Sequence, residues 1–475
     1  MKKLCLVAAL MASAAALVSP AYADDAADLA AIRKQLNQID HEYRAKIENL
    51  ETRLKKAEAD AKAARTAAAN ASKSAVAAQS DAKAAQQQVA QVAAPPAEPP
   101  PIDSLPAEAP TPPASANAFN PGIAAVLNGF YSASSRKPDN QRIAGFAIGD
   151  DAKLIPNGFS LGESEISFAA NIDPEMAGFL DISFDNENHP DVEEAYVRST
   201  DLPWGFTLKA GRFLSGIGYI NERHAHDWSF SDAALPYRAF LNTQYGDDGV
   251  QLRWLAPTDI FLEFGAEWFR GDEYPAAGAA HGGQGTVTAF VHAGDDINES
   301  SSWLAAASYL HTRAAGLETD NPLSPVDDTF TGDTDLGIAS LVYKWAPGGN
   351  PTVNNFTAVG EFFWDRQKGD FDLLPFRRNN TGWYVQGVYQ FMPQWSLGLR
   401  YSQLDSGNIP LSLAGSALDD FGHSARASTA LLEYDTSEFG RLRLQYTYDQ
   451  TDLKPNNEIL FQYTVIYGPH GAHRY

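Results

Sequence analysis

Two imidazoles and a carboxylate stand together in the run Arg223-His224-Ala225-His226-Asp227-Trp228. His224, His226 and Asp227 are the residue types that hold zinc, which takes imidazole nitrogen and carboxylate oxygen in tetrahedral sites. His189 and His281, in flanking connections, could complete such a set. The ordinary alternative, and the expected one, is a pair of neutral histidines that only hydrogen-bond inside a packed loop. Zinc is the one cofactor the sequence brings into question. A second pair, His470 and His473, falls beyond the last predicted strand.

A larger charged set alternates with apolar residues. Glu163, Glu165, Asp181, Asp185, Glu194, Glu263, Glu267 and Glu361 lie on polar faces, with Arg198, Lys209, Arg253, Arg400 and Arg443 opposing them. Any one of these reads as an ordinary wall residue. Together, with acid exceeding base, they point to a lined polar lumen that prefers cations. Catalysis is not marked out. Gly162-Glu163-Ser164 lacks the second glycine of a nucleophile elbow, and no glycine-rich phosphate loop precedes a helix. No enzyme is expected.

The elements that would position these residues have a period of two. Leu180, Ile182 and Phe184 alternate with Asp181, Ser183 and Asp185; Leu442, Leu444, Tyr446 and Tyr448 alternate with Arg443, Gln445, Thr447 and Asp449. Sixteen such runs follow one another, the first starting near Ala125 and the last near Glu458. Their connections alternate between short ones, such as Ala256-Pro257-Thr258 and Met392-Pro393-Gln394, and mostly longer ones, including Ser215–Asp248, Ala314–Thr334, Gln367–Asn380 and Ser406–Ser424. That pattern predicts an all-β transmembrane barrel of about 16 antiparallel strands, with tight turns on one side and long loops on the other. Tryptophans near strand ends (Trp204, Trp254, Trp268, Trp345, Trp364, Trp383, Trp395) suit interfacial girdles. Ser215–Asp248 spans 34 residues and is unusually apolar for a loop, so it should pack into the barrel as a constriction.

The chain has 475 residues, with 36 Lys+Arg against 59 Asp+Glu. Thirteen basic and thirteen acidic residues cancel before Phe119, so the barrel segment carries the whole net charge of −23. A nucleic-acid partner would need a basic face, and that class is excluded. At the N-terminus, Lys2 and Lys3, an apolar stretch from Leu4 to Val18 and Ala21-Tyr22-Ala23 form a secretory signal over residues 1–23. The single cysteine, Cys5, leaves with it, so the mature chain has no disulfide and no thiolate. Residues 24–92 repeat apolar positions at spacings of three and four (Leu29, Ile32, Leu36, Ile39, Tyr43 and onward), which predicts an α-helical coiled coil and therefore a partner helix, most simply another copy. Residues 93–121 are rich in proline and alanine and should form a semi-rigid linker; the barrel follows from 122 to 475.

Several motifs carry a resemblance. A signal, a short coiled coil, a linker and a 16-stranded barrel together resemble the phosphate-selective porins of Gram-negative outer membranes. Lys209-Ala210-Gly211-Arg212-Phe213, the Arg223–Trp228 run, Trp254-Leu255-Ala256-Pro257-Thr258-Asp259 and Gly468-Pro469-His470-Gly471-Ala472-His473 resemble proteins labelled zinc-regulated outer-membrane receptors. Two departures bear on function: the pore shows no ladder of Arg and Lys for phosphate, and a coiled coil stands where a TonB-dependent receptor has a globular plug. The expectation is an outer-membrane porin-like channel for small solutes, cation-preferring and homo-oligomeric (a trimer), with its N-terminal segment in the periplasm. Lipid, lipopolysaccharide and peptidoglycan would be its surroundings. A TonB-dependent-like zinc or metallophore receptor, and a tether between outer membrane and cell wall, are the alternatives.

Overall fold

The computed structural model describes Lys55 and Lys62, both helical, and residues 121–138, 141–184, 190–276, 285–321, 323–324 and 326–468. The signal, nearly all of the coiled coil and linker, and Asp185, His189, His281, His470 and His473 lie outside the described residues.

Seventeen strands form a single antiparallel sheet. They are β1 (Gly122–Ser134), β2 (Gly158–Leu161), β3 (Ser164–Asn171), β4 (Met176–Phe184), β5 (Pro190–Ser199) and β6 (Phe206–Leu214). Next come β7 (Gly246–Leu255), β8 (Phe261–Phe269), β9 (Thr286–Asn298), β10 (Ser301–Thr319), β11 (Asp328–Trp345) and β12 (Asn355–Phe371). The last are β13 (Leu374–Met392), β14 (Trp395–Asp405), β15 (Ala425–Ser437), β16 (Gly440–Gln450) and β17 (Asn456–Tyr467). β2 and β3 are two halves of one stave, since both pair with β1, at Gly129↔Leu161 and Val126↔Glu165. The other edge of β1 pairs with β17 from Ala125↔Tyr467 to Ser134↔Glu458, which closes the sheet. The result is a barrel of sixteen staves without a free edge.

Polarity across the wall is the reverse of a water-soluble barrel. On β16, Leu444, Tyr446 and Tyr448 face outward and exposed, while Arg443, Gln445, Thr447 and Asp449 are buried inside. β17 repeats this, with Ile459, Phe461 and Tyr463 outside and Glu458, Gln462 and Thr464 inside. Period-two alternation delivers one apolar face per strand, and here that face covers the outside of the barrel. A hydrocarbon solvent on the outside makes this arrangement favourable.

One predicted loop does not exist. Instead of a long connection over Gln367–Asn380, β12 and β13 continue to a two-residue turn at Asp372 and Leu373. Both turn residues have positive φ (50° and 67°), as a tight hairpin that follows the strands' twist requires. The polar composition of this stretch suggests a loop because the two strands run past the length that a membrane needs. β10 to β13 are 17–19 residues long, against about 9–11 for a spanning strand. Pro375 is tolerated because its partner lies on β12 only; β13 meets β14 from Thr381 onward. Inside the extension, Phe330, Phe371 and Phe376 pack with Leu413 and Leu418 from the β14–β15 loop.

Candidate constriction site

The β6–β7 connection turns into the barrel, as its apolar composition predicts. At its centre a short helix, α1 (Leu235–Leu241), is buried along its whole length. Pro236 opens it, where a missing N–H costs nothing, and Asn242 closes it in the left-handed conformation. Tyr237 and Phe240 lie against Phe363 of β12, with ring centroids 5.0 and 6.1 Å away.

Inward charges on opposite walls hold the loop. Glu361 of β12 accepts hydrogen bonds from the Tyr219 N–H (2.9 Å) and the Tyr237 hydroxyl (2.8 Å), and also from the hydroxyls of Ser340 and Tyr384. Burial, then the Glu361 carboxylate, push the Tyr237 hydroxyl well above the usual phenol range, so it stays a donor. Gly218 has φ +65°, and a Cβ there would collide with the Tyr237 hydroxyl. Glu267 of β8 accepts from the Gly216 N–H (2.9 Å), the Gln251 amide (2.6 Å) and the hydroxyls of Ser215 and Thr288. Across the lumen, Arg400 of β14 donates to the Asp232 carbonyl and carboxylate (2.7 and 2.6 Å) and stacks on Phe230. Arg443 of β16 pairs with Glu433 (2.7 Å) and donates to the Trp228 carbonyl.

Of the remaining predicted lining residues, those from Glu165 on β3 to Glu267 on β8 form a belt, with Arg198 and Glu163 outside it. Lys209 sits over the Tyr196 ring and 3.7 Å from Glu222. Arg253 contacts Glu222 and lies 3.4 Å from Glu263, which in turn meets His292 at 3.2 Å. Asp181 is buried and accepts from the Ser167 hydroxyl (3.0 Å). Arg198 faces Lys209 in register on the same side of the sheet and is exposed. Glu163 is half-buried between β2 and β3, its backbone carbonyl accepting from the Asn128 amide (2.8 Å).

The histidine loop meets this belt at Glu165 and Glu194. His226 Nδ1 is 2.9 Å from Glu165 Oε1, and His224 Nε2 is 3.1 Å from Glu194 Oε2. The two imidazoles stack with centroids 5.7 Å apart. Glu193, which strict alternation would turn outward, joins them: its Oε2 lies 3.4 Å from His224 Nδ1. The cause is a bulge. Asp181 pairs with Glu194 but Ile182 pairs with Val192, leaving Glu193 unopposed, and bulges re-aim side chains in this way. No sequence signal marks that position. Burial opposes a charged His224, but Glu193, Glu194 and Glu165 outweigh it and hold the imidazole well above its ordinary range. Asp227 is turned away, 3.7 Å from His226 Nε2 and partly exposed.

Two cavities flank this part of the loop. One of about 1080 Å³ opens among the short turns and is lined by Glu222, Arg223, His224, Asp227, Lys344, Glu433, Asp435 and Arg441. Another, of about 180 Å³, lies on the long-loop side against Glu163, Ala225, Trp228, Ser231, Asp232 and Arg238. His224, Asp227 and Ser229 line the first and Ala225, Trp228 and Ser231 the second, so this stretch of the loop lies between them.

Closed staves, an apolar exterior, a charged interior and an inserted loop define the fold of an outer-membrane β-barrel channel. No family model matches the chain. A protein of Aquifex aeolicus (strain VF5), described as uncharacterized, is 28% identical over 337 residues, covering 66% of this chain and 70% of that one. Among solved structures, the anion-selective porin from Comamonas acidovorans is 9% identical with a TM-score of 0.46, over 73% of this chain and 99% of its own. The outer membrane channel DcaP of Acinetobacter baumannii is 10% identical, with a TM-score of 0.46 over 74% and 99%. The trimer form of OmpT, an outer membrane protein of Vibrio cholerae, is 10% identical, with a TM-score of 0.46 over 73% and 99%.

Proposed function

We propose that this protein is an outer-membrane channel that passes small hydrophilic solutes and prefers cations. The observation that carries the reading is the reversed polarity of the wall together with the loop that narrows its interior. The short turns face the periplasm and the long loops the exterior, where they meet lipopolysaccharide. Cation preference is supported by the larger cavity, where Glu222, Asp227, Glu433, Asp435 and Glu438 outnumber Arg223, Lys344 and Arg441 even with His224 counted as a cation; acidic linings concentrate cations in a narrow lumen. The seam of residues 24–92 supports assembly as a homotrimer through a periplasmic coiled coil, with residues 93–121 as spacer. Membrane fractionation and liposome swelling test this. Recovery with the outer membrane, heat-modifiable gel migration and solute-size-dependent swelling are expected. A product in the soluble periplasmic fraction, or liposomes that stay tight, would overturn it.

A further inference from the structure

We infer that Glu165, Glu193 and His224 form a binding site for one divalent transition-metal ion of the zinc type, fastening the inserted loop to the barrel wall. Three potential ligand atoms converge: Glu165 Oε2, Glu193 Oε2 and His224 Nδ1, all within 4.8 Å of one another. His224 Nδ1 is 3.5 Å from the Glu165 oxygen and 3.4 Å from the Glu193 oxygen. Those two separations match the edges of a coordination tetrahedron, because ligands held at about 2.0–2.2 Å from a central zinc stand about 3.3–3.6 Å apart.

All three atoms are buried and make no hydrogen bond, although Glu165 and His224 are each anchored through their other polar atom. Glu165, whose side chain is wholly buried, uses its second oxygen to meet His226. His224 uses its second nitrogen to meet Glu194. A carboxylate behind a ligating imidazole, and a partner behind a ligating carboxylate, is how metal sites orient their donors. Buried polar atoms without a hydrogen bond are costly, and it is a bulge that brings Glu193 to the group. A cation removes that cost. His224 also lines the larger cavity, the side from which an ion could reach the group. Nitrogen and oxygen donors in this mixture favour zinc, cobalt or nickel over calcium and magnesium, which take six or more oxygens. The ion would bridge β3, β5 and the loop. This inference does not depend on the channel reading, since binding is measurable without flux.

The test uses the full-length protein in detergent, stripped with chelator and titrated with zinc chloride by calorimetry, with calcium and magnesium chloride in parallel. One zinc per chain is expected, with no calcium or magnesium binding at that site. Glu193→Gln and His224→Ala should each weaken zinc binding at least tenfold, while Asp227→Asn leaves it unchanged. Loss with Asp227→Asn alone, or zinc binding unaffected by both ligand variants, would overturn the assignment, as would a wild-type protein that binds no zinc. X-ray absorption on the zinc-loaded wild type needs no variant to fold. A shell with one imidazole among oxygens supports the site, and two or more imidazoles refute it.

Discussion

Replacing Glu361 by glutamine should loosen the inserted loop without disturbing the barrel. In the native protein one oxygen of Glu361 accepts from the Tyr219 N–H and Ser340, the other from the hydroxyls of Tyr237 and Tyr384. The amide keeps the first pair of contacts, weakened, and turns a donor toward the two phenols. Tyr237 already accepts from the N–H groups of Tyr219 (3.0 Å) and Ile220 (3.2 Å), so it has little capacity left. Losing charge from these bonds costs about 1 kcal/mol each, and an unsatisfied buried donor about 1–3 kcal/mol. Partial rewiring leaves a net cost of about 2–4 kcal/mol for the loop's attachment. At 1.4 kcal/mol per tenfold, the detached population should rise roughly 30-fold to several hundred-fold. Hydrogen exchange read by mass spectrometry can resolve that, comparing peptides covering 215–248 with peptides from β15 and β16 as internal control. Exchange should accelerate by that factor at Tyr219 and Ile220 and stay unchanged in the control strands. Less than a threefold change at the loop would refute the claim that Glu361 is its anchor.

Gly218→Ala should have a similar effect from the other side of the same contact: a left-handed alanine costs about 1–2 kcal/mol, and the collision with Tyr237 adds to it. Faster exchange confined to 215–248 is expected; native exchange rates would contradict the packing. Leu444→Arg places a charge on the outward face midway along β16, and denaturant titration in lipid vesicles should show a loss of about 2–4 kcal/mol if that face meets hydrocarbon. A loss under about 0.5 kcal/mol would mean that it does not. In the β16–β17 loop, burial raises Asp452, but hydrogen bonds from Arg136 and Arg142 outweigh it and hold its carboxyl below the usual value of 3.8. A depressed carboxyl contributes stability that is present above its unfolded value and lost as pH falls through its folded one. Exchange in residues 135–138 and 141–143 should therefore be flat in protection from pH 8 to 5 and lose protection only below about pH 4. Loosening between pH 5 and 8 would show that other groups hold this loop.

Much of the barrel was legible because a membrane wall is a strict period-two problem. The strand starts at Met176, Phe206, Trp395 and Gly440 fall where alternation and turn residues place them. The long hairpin of β12 and β13 was not, since beyond the membrane its outer face turns polar, at Arg377 and Asn379, and the alternation that marks a wall strand is lost. Inward positions followed from alternation at Glu165, Glu267, Glu361, Arg400 and Arg443, all buried. Alternation fails at Glu193, where a bulge that depends on the pairing with β4 reverses one side chain. Histidine spacing singled out the loop, but a loop's neighbours are set by the wall it meets, so the side chains grouped with His224 are Glu165 and Glu193, while Asp227 is turned away.

Single-channel recording of the purified protein in planar bilayers under a salt gradient tests the central claim most directly. Discrete conductance steps are expected, with a reversal potential of the sign set by cation preference. That preference should shrink as salt screens the lumen's carboxylates and should fall in Asp435→Asn combined with Glu438→Gln. A membrane that stays silent after insertion of folded barrels would contradict the channel reading, and a pore that favours anions at low salt would contradict the charge assignment.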